Sequence, residues 1–249
     1  MEAQPTILEW RSPNEFVLGG VNFTVDLTAG NKRRQSTLNN FTIVKTENFL
    51  RLYEYLSRRY PNMDNIIELG VFQGGGFAYL DGVFKPKILH GVDITSKRIP
   101  PLDTYCTESS RNLRVHYETS QDDKGFLEDL VKTQFSGKLD MVVDDASHTY
   151  ELTRKSFEIL FPLLKPGGIY VIEDWAWVYA DGFKEPHPWA NDISLAKLVL
   201  ELIHNIGASN KTIDNLEVHQ EMVIVQKSSN PVSNPNLSYK LREKDTPSI

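Results

Sequence analysis

Apolar residues in the middle of this chain come in short blocks separated by amphipathic stretches. Five blocks have strand character: residues 65–69, 88–94, 113–117, 139–143 and 169–172. Each is a short run rich in Val, Ile and Leu, as expected of strands buried on both faces. Between them lie helical patterns at 75–84, 126–133 and 150–164, the last with Phe157, Leu160, Phe161 and Leu164 as its apolar stripe. Lys165-Pro166-Gly167-Gly168 is expected to stop that helix. Residues 46–60 also read as a helix: Phe49, Leu50, Leu52, Tyr53 and Leu56 recur at helical spacing, Thr46 is a plausible N-cap, and Pro61-Asn62 closes it. A further helix is expected over 193–206, ending at Gly207, followed by strands at 216–219 and 222–225 that close the sheet at an antiparallel edge. Strand-helix alternation of this kind predicts an α/β protein with a doubly wound, mostly parallel, Rossmann-like sheet and an antiparallel edge strand.

The flanks differ from this middle. Phe16-Val17-Leu18 and the run 21–25 surround Gly19-Gly20 and read as a short hairpin. The following polar stretch, 29–40, reads as a mobile loop, and its Lys32, Arg33 and Arg34 as a solvated run. Beyond Ser228 the chain is rich in Ser, Asn and Pro, the composition of a flexible tail. The expected organisation is an N-terminal hairpin and helix appendage over 1–61, serving as a lid or in oligomer contacts, a core over 62–228, and a flexible tail over 229–249.

Composition narrows the possibilities. The 249 residues are 40% hydrophobic and 24% charged, an ordinary globular profile. A net charge of −6 argues against a nucleic-acid partner. No apolar run is long enough to cross a bilayer, and the first residues have no secretory pattern, so no membrane partner and a cytoplasmic location are expected. The single cysteine, Cys106, rules out an internal disulfide and a thiolate metal cage.

The candidate chemistry lies where strands end. The first core strand runs into Glu68-Leu69-Gly70-Val71-Phe72-Gln73-Gly74-Gly75-Gly76, then a helix. Such a turn admits a nucleotide-like ligand against backbone N–H groups. Phe72 stands where a pyrophosphate cradle would carry a middle glycine, which favours a ligand without a pyrophosphate. Asp93 ends the second strand and is placed to accept hydrogen bonds from ribose hydroxyls. Glu68 favours S-adenosylmethionine over NAD, because an ammonium and a sulfonium attract negative charge. Further on, one strand ends in Asp144-Asp145, the next in Glu173-Asp174, and His148 follows the first pair. Parallel strands deliver all five groups to one sheet edge, where the acids would repel one another without a cation among them. A divalent metal is the expected cation.

These motifs, E-L-G-V-F-Q-G-G-G, G-V-D-I, T-S-Q-D, V-V-D-D-A-S-H and L-K-P-G-G-I-Y-V-I-E-D-W, resemble those of the macrocin and mycinamicin sugar O-methyltransferases and the cephalosporin-hydroxylase-like proteins, within the class I S-adenosylmethionine-dependent methyltransferases. The resemblance spans about 62–228 and is densest between Asp140 and Trp175. It implies that Glu68, Gly70, Gly74 and Gly75 line the methionine end of the cofactor, that Asp93 holds the ribose, and that Ser120, Gln121 and Asp122 lie by the adenine. Asp145, Glu173 and Asp174 resemble the acids that bind Mg²⁺, or Mn²⁺, and His148 the proposed general base. Asp144 is left as a cofactor contact or a structural acid. Ala146 replaces the family's usual glycine and Thr119 a small residue, without loss of a functional group. Family habit implies a homo-oligomer.

The chemistry suits the residues. A sugar hydroxyl is a poor nucleophile; a hard dication lowers its pKa and a neutral histidine can take its proton. Trp175, Trp177, Tyr179 and Phe183 could form an aromatic wall for a sugar or polyketide acceptor. The expected function is a metal-dependent O-methyltransferase acting on a hydroxyl of a glycosylated or polyketide-type small molecule. A hydroxylase-like protein or a non-catalytic cofactor-binding partner is the alternative, against which stand the absence of a two-histidine, one-carboxylate iron motif and the full set of acids.

Overall fold

In the computed structural model, residues 7–28, 30–180, 191–207 and 212–229 are described. Phe183, His187 and all but the first residue of the expected tail lie outside them. The N-terminal region forms a four-stranded sheet in the order β1 (Glu9–Ser12), β2 (Glu15–Leu18), β3 (Val21–Val25) and β4 (Phe41–Ile43). The expected hairpin is β2–β3, with Leu18 opposite Val21 and the two-residue loop Gly19-Gly20 at φ 57° and 86°. Positive φ at both loop positions is the turn whose twist matches the strands. β1 and β4 were not predicted: β1 is a short edge strand without an apolar face, and β4 has only three residues. The polar stretch before β4 contains a 3-10 turn at Gly30–Lys32 and is tied down where Ser36 N donates to Gln73 Oε1 at 2.9 Å.

Helix α1 (Glu47–Arg59) begins at the predicted cap, with Thr46 accepting from Phe49 N. The core then alternates as predicted: β5 (Asn65–Leu69), α2 (Gly75–Phe84), β6 (Ile88–Val92), α3 (Pro100–Glu108), β7 (Asn112–His116), α4 (Lys124–Gln134), β8 (Leu139–Asp144), α5 (Tyr150–Leu160), β9 (Leu164–Glu173), α6 (Ala196–Gly207), β10 (Ile213–Val218) and β11 (Met222–Lys227). Several boundaries shift by a few residues, and those between α5 and β9 have a clear cause. α5 stops at Leu160 rather than Leu164, because Pro162 has no N–H to donate and the chain tightens into a 3-10 turn over Phe161–Leu163. Lys165-Pro166-Gly167-Gly168 therefore opens β9 instead of ending the helix. α3, which was not predicted, starts on Pro100-Pro101, where proline's fixed φ suits the first helical turn.

The central sheet has the order β10-β11-β9-β8-β5-β6-β7. Strands β7, β6, β5, β8 and β9 are parallel. The antiparallel strand lies one place in from the edge: β11 inserts between β9 and β10 and runs against both. Both faces are covered, as the nearly uniform apolar strands require. One face packs against α1, α2 and the N-terminal sheet, with Ile66, Met141, Val143, Ile169 and Val171 beneath Leu50, Tyr53, Phe77 and Phe16. The other packs against α4, α5 and α6 through Ile67, Leu69, Val142, Tyr170 and Ile172. The small sheet is joined to this core by rings: Phe16 stacks on Phe23 at 4.9 Å, and both set their faces against the edge region of Tyr79 at 6.1 and 6.2 Å. From β5 the chain winds outward through β6 and β7, then returns to β8 on the other side of β5. The carboxyl ends of β5 and β8 thus flank the switch point, where such sheets open a crevice for ligands.

Candidate active site

At that crevice two loops cross in contact. Asp145 N donates to Leu69 O at 2.9 Å, and a Cβ on Gly70 would lie 2.2 Å from Asp145 O. Gly70 also has φ 83°, so both its backbone and its surroundings demand glycine. Two cavities open around this crossing. The larger, about 630 Å³, is walled by Gly70, Phe72, Gln73, Asp93, Thr95 and the 97–101 segment, with Arg33 and Ser36 of the polar N-terminal loop across from them. The smaller, about 220 Å³, is walled by Lys45, Glu68, Gly75, Gly76, His148 and Asp174. Gly70, Phe72, Gln73, Asp145 and Ala146 belong to both, so the two are chambers of one cleft.

Asp93 sits at the turn as predicted. One oxygen accepts from Val71 N (2.9 Å) and Phe72 N (3.2 Å), the other from Thr95 N (2.8 Å), so the acid stiffens the glycine turn as well as facing the larger chamber. Glu68 is only 1% exposed, and its Oε2 has no hydrogen-bond partner. Burial drives its pKa well above the usual carboxylate range, with the neighbouring acids adding to the rise and Lys45 opposing it. A buried, unpartnered carboxyl on the wall of a small chamber fits a cationic ligand group. Gly75 faces the other way: a Cβ there would stand 2.1 Å from Thr42 O, so this glycine lets β4 rest on the start of α2. Gly74, at φ 83°, caps that helix.

The residues expected by the adenine, Ser120, Gln121 and Asp122, line neither chamber. Ser120 Oγ donates to Asp122 Oδ1 at 2.6 Å, and Asp122 meets Lys155 at 3.2 Å. Gln121 Nε2 donates to Asp144 Oδ1 at 3.1 Å while its Oε1 accepts from Ser147 N at 3.0 Å. Asp144 also accepts from Ser156 Oγ (2.6 Å) and Tyr170 Oη (2.7 Å), and lines neither chamber. Successive residues of a strand point to opposite faces, which sends Asp144 into the α5 side of the core and Asp145 into the cleft. Burial raises the Asp144 pKa to about 6, against the lowering effect of the two hydroxyls. Asp144 therefore anchors the 145–149 loop from below.

Two of the expected acids and His148 come together at the cleft. Asp145, His148 and Asp174 each bring a ligand atom within 4.8 Å of the others. His148 Nε2 is 3.7 Å from Asp145 Oδ1, and its Nδ1 is buried without a partner. Both His148 and Asp174 have left-handed backbone, φ 54° and 51°. Such conformations in non-glycine residues gather at functional sites. Glu173, expected as a third carboxylate ligand, stands outside this group. It is 1% exposed and is held by Lys45 Nζ and Tyr53 Oη. Lys45 Nζ also donates to Asp145 Oδ2 at 2.8 Å and lies 4.7 Å over the Phe49 ring. A cation does sit among these acids, and it is supplied by the chain. Burial works against the Lys45 charge, yet Asp145 and Glu173 hold its pKa above the ordinary lysine value. Burial and the nearby Asp145 charge raise both Glu173 and Asp174, with Lys45 opposing.

Lys45 and Tyr53 did not emerge from the sequence. Lys45 lies between β4 and the α1 cap, 100 residues from Asp145 and 128 from Glu173, so only the fold joins them. Tyr53 sits on the apolar stripe of α1, where a buried hydroxyl needing a partner was the available clue. Of the predicted aromatic wall, Trp177 is buried and its indole N–H donates to His148 O at 2.9 Å. Trp175 Nε1 donates to His219 O at 2.7 Å, and Tyr179, 65% exposed, meets Trp175 edge-on at 6.1 Å. Tyr179 is thus the open ring of this group, while Trp177 secures the histidine.

Comparison with known proteins agrees with this architecture. A family model for the methyltransferase domain matches residues 67–175, which include the glycine turn, Asp93 and the acid cluster. The demethylmacrocin O-methyltransferase of Streptomyces fradiae is 28% identical over 200 residues, 72% of this chain and 48% of that protein. The mycinamicin VI 2''-O-methyltransferase of Micromonospora griseorubida is 28% identical over 201 residues, 72% of this chain and 47% of that protein. The solved structure of the MycE methyltransferase of mycinamycin biosynthesis, in complex with Mg, SAH and mycinamycin VI, matches with a TM-score of 0.55 at 29% identity, over 72% of this chain and 49% of that one. The chain spans about half the length of the curated relatives it matches. The chain thus carries a methyltransferase domain over residues 67–175, on a sheet and glycine turn similar to those of the demethylmacrocin and mycinamicin VI O-methyltransferases.

Proposed function

We propose that this protein transfers a methyl group from S-adenosylmethionine to a hydroxyl of a sugar or polyketide-type small molecule, with help from a divalent cation and with residues 62–228 as the catalytic core. The observation that carries this reading is the sharing of Gly70 and Asp145 between the glycine-turn chamber and the acid-lined chamber. A donor held by the first is thereby adjacent to a hydroxyl held by the second. The relatives are O-methyltransferases of demethylmacrocin and mycinamicin VI, and the MycE structure contains Mg and SAH, which supports both ligands here.

The donor set fits. Two carboxylates, Asp145 and Asp174, leave positions for acceptor oxygens and water around Mg²⁺ or Mn²⁺, and the His148 imidazole stands beside them as a base rather than a ligand. When bound, the donor supplies an electrophilic methyl group and the dication lowers the pKa of the acceptor hydroxyl. The chain's own residues do the rest. Asp93 and the glycine turn orient the nucleoside, and Glu68 receives the donor's ammonium end. Asp145 and Asp174 hold the dication, and His148 takes the hydroxyl proton at Nε2, the nitrogen that faces the cluster. Tyr179 offers a flat face to the acceptor.

The test is methyl transfer from labelled S-adenosylmethionine to a panel of glycosylated macrolides and anthracycline-like aglycones, with and without EDTA. We expect transfer that EDTA abolishes and Mg²⁺ or Mn²⁺ restores, and a loss of at least about 100-fold for His148→Ala. Turnover indifferent to EDTA would remove the metal from the mechanism, and full activity in His148→Ala would remove the base.

A further inference from the structure

Four carboxyl groups gather around a single buried lysine. Asp145, Glu173, Asp174 and Glu68 all wall or adjoin the smaller chamber, and Lys45 is the only ammonium or guanidinium paired with any of them among the described residues. That lysine is buried, fixed by two carboxylates and an aromatic face, and delivered by the N-terminal segment rather than by the core. Its two contacts are unequal in consequence. Glu173 has both its oxygens engaged, one by Lys45 and the other by Tyr53, and is not among the Asp145, His148 and Asp174 group. Asp145 is shared: Oδ2 faces Lys45 while Oδ1 faces His148.

We propose that Lys45 is a resident counter-ion that competes with the divalent cation, keeping the acids assembled when no metal is bound and lowering metal affinity by neutralising Glu173 and half of Asp145. This rests on the metal-assisted reading above. Lys45 is a positioning residue in this account: it acts through Asp145 and Glu173. The physical argument is Coulombic. A unit positive charge fixed a few ångströms from a dication in a poorly solvated site repels it, and removing that charge also exposes Glu173 as an additional hard-oxygen ligand.

The experiment is direct Mn²⁺ binding, followed by the electron paramagnetic resonance signal of free Mn²⁺, on the whole protein and four variants. Wild type should bind one Mn²⁺ and Asp174→Asn should lose it. Lys45→Met should bind Mn²⁺ about tenfold or more tightly, and its melting temperature should be lower than wild type without metal and rise more on adding Mn²⁺. Lys45→Arg, which keeps the charge, should stay within about threefold of wild type. Lys45→Met/Glu173→Gln, which removes both members of the buried pair and so avoids a stranded carboxylate, should also return to within about threefold, and it serves if the single variant does not fold. Wild-type binding that Asp174→Asn abolishes, together with unchanged or weaker binding in Lys45→Met, would overturn the counter-ion role alone. If the single variant does not fold, tenfold tighter binding by the double variant would overturn it instead. An absence of Mn²⁺ binding in every protein, Lys45→Met included, would overturn the metal reading and this proposal with it.

Discussion

Gly75→Ala tests the seam between the N-terminal sheet and the core, and Gly82→Ala is its internal control. Both glycines lie on α2 and face the small sheet. In a helix interior alanine is favoured over glycine by about 1 kcal/mol, a gain available in full to Gly82 and in part to Gly75 at the helix start. What differs is the neighbour. A Cβ on Gly82 would lie 2.7 Å from Leu18 Cδ2 and 2.8 Å from Leu18 Cγ, side-chain atoms that can give way by a change of rotamer and a small shift without moving the strand. A Cβ on Gly75 would lie 2.1 Å from Thr42 O and 2.8 Å from Thr42 C, backbone atoms of β4 that move only with the strand. Restoring normal contact needs a displacement of about 1 Å, and overpacking of that kind costs about 1–3 kcal/mol. Gly82→Ala should thus fall within about 1 kcal/mol of wild type, whereas Gly75→Ala should lose about 2 kcal/mol, read as a shift of the urea midpoint at constant slope. In a chain of this size each kcal/mol moves the melting temperature by about 2–4 °C. Gly75→Ala proving as stable as Gly82→Ala would refute the reasoning, since it would mean that β4 does not rest on α2 as described.

Two further expectations concern other parts of the fold. His90 is buried between His116, which it meets ring nitrogen to ring nitrogen at 3.1 Å, and Asn112, beside Phe135 and near Arg114; burial lowers its pKa to about 4. A histidine depressed in this way destabilises the fold as pH drops from about 6.5 to about 4, because the unfolded chain takes up the proton first, by at most about 3 kcal/mol. Glu68 and Glu173, raised by burial, contribute the opposite slope. The measurement is therefore the difference between wild type and His90→Gln in urea midpoints at pH 7 and pH 4.5; parallel pH curves for the two would discount the histidine. Trp177→Phe removes the indole hydrogen bond to His148 O and should cost about 1 kcal/mol of stability while weakening Mn²⁺ binding severalfold; an unchanged Mn²⁺ affinity would show that His148 keeps its place unaided.

The parts of this protein that could be read from the chain are those where local pattern and tertiary fate coincide. β5, the glycine turn and α2 were legible because a strand, a turn and a helix follow one another within a few residues, and Asp93 because it ends the next strand. α3 was hidden by two prolines, which break a helix in its interior yet suit its first turn. The acid cluster was visible as a charge conflict, but its resolution was not. The different partners of Asp144 and Asp145 follow from the strand's facing, and Glu173 is paired with a lysine on a distant segment. Periodicity carries no information about pairings of that range.

The crossing of the two loops has a consequence for how ligands communicate. Gly70 and Asp145 are in backbone contact, so the turn that would meet the methyl donor cannot shift without pressing on the residue that would meet the cation. Cleft and cluster then behave as one lever with two ends, and thermodynamic reciprocity requires each ligand to change the other's affinity by the same factor. Titrating Mn²⁺ with and without S-adenosylhomocysteine should reveal that factor, about fivefold or more, and the converse titration should return it; independent affinities would mean that the two loops touch without transmitting force.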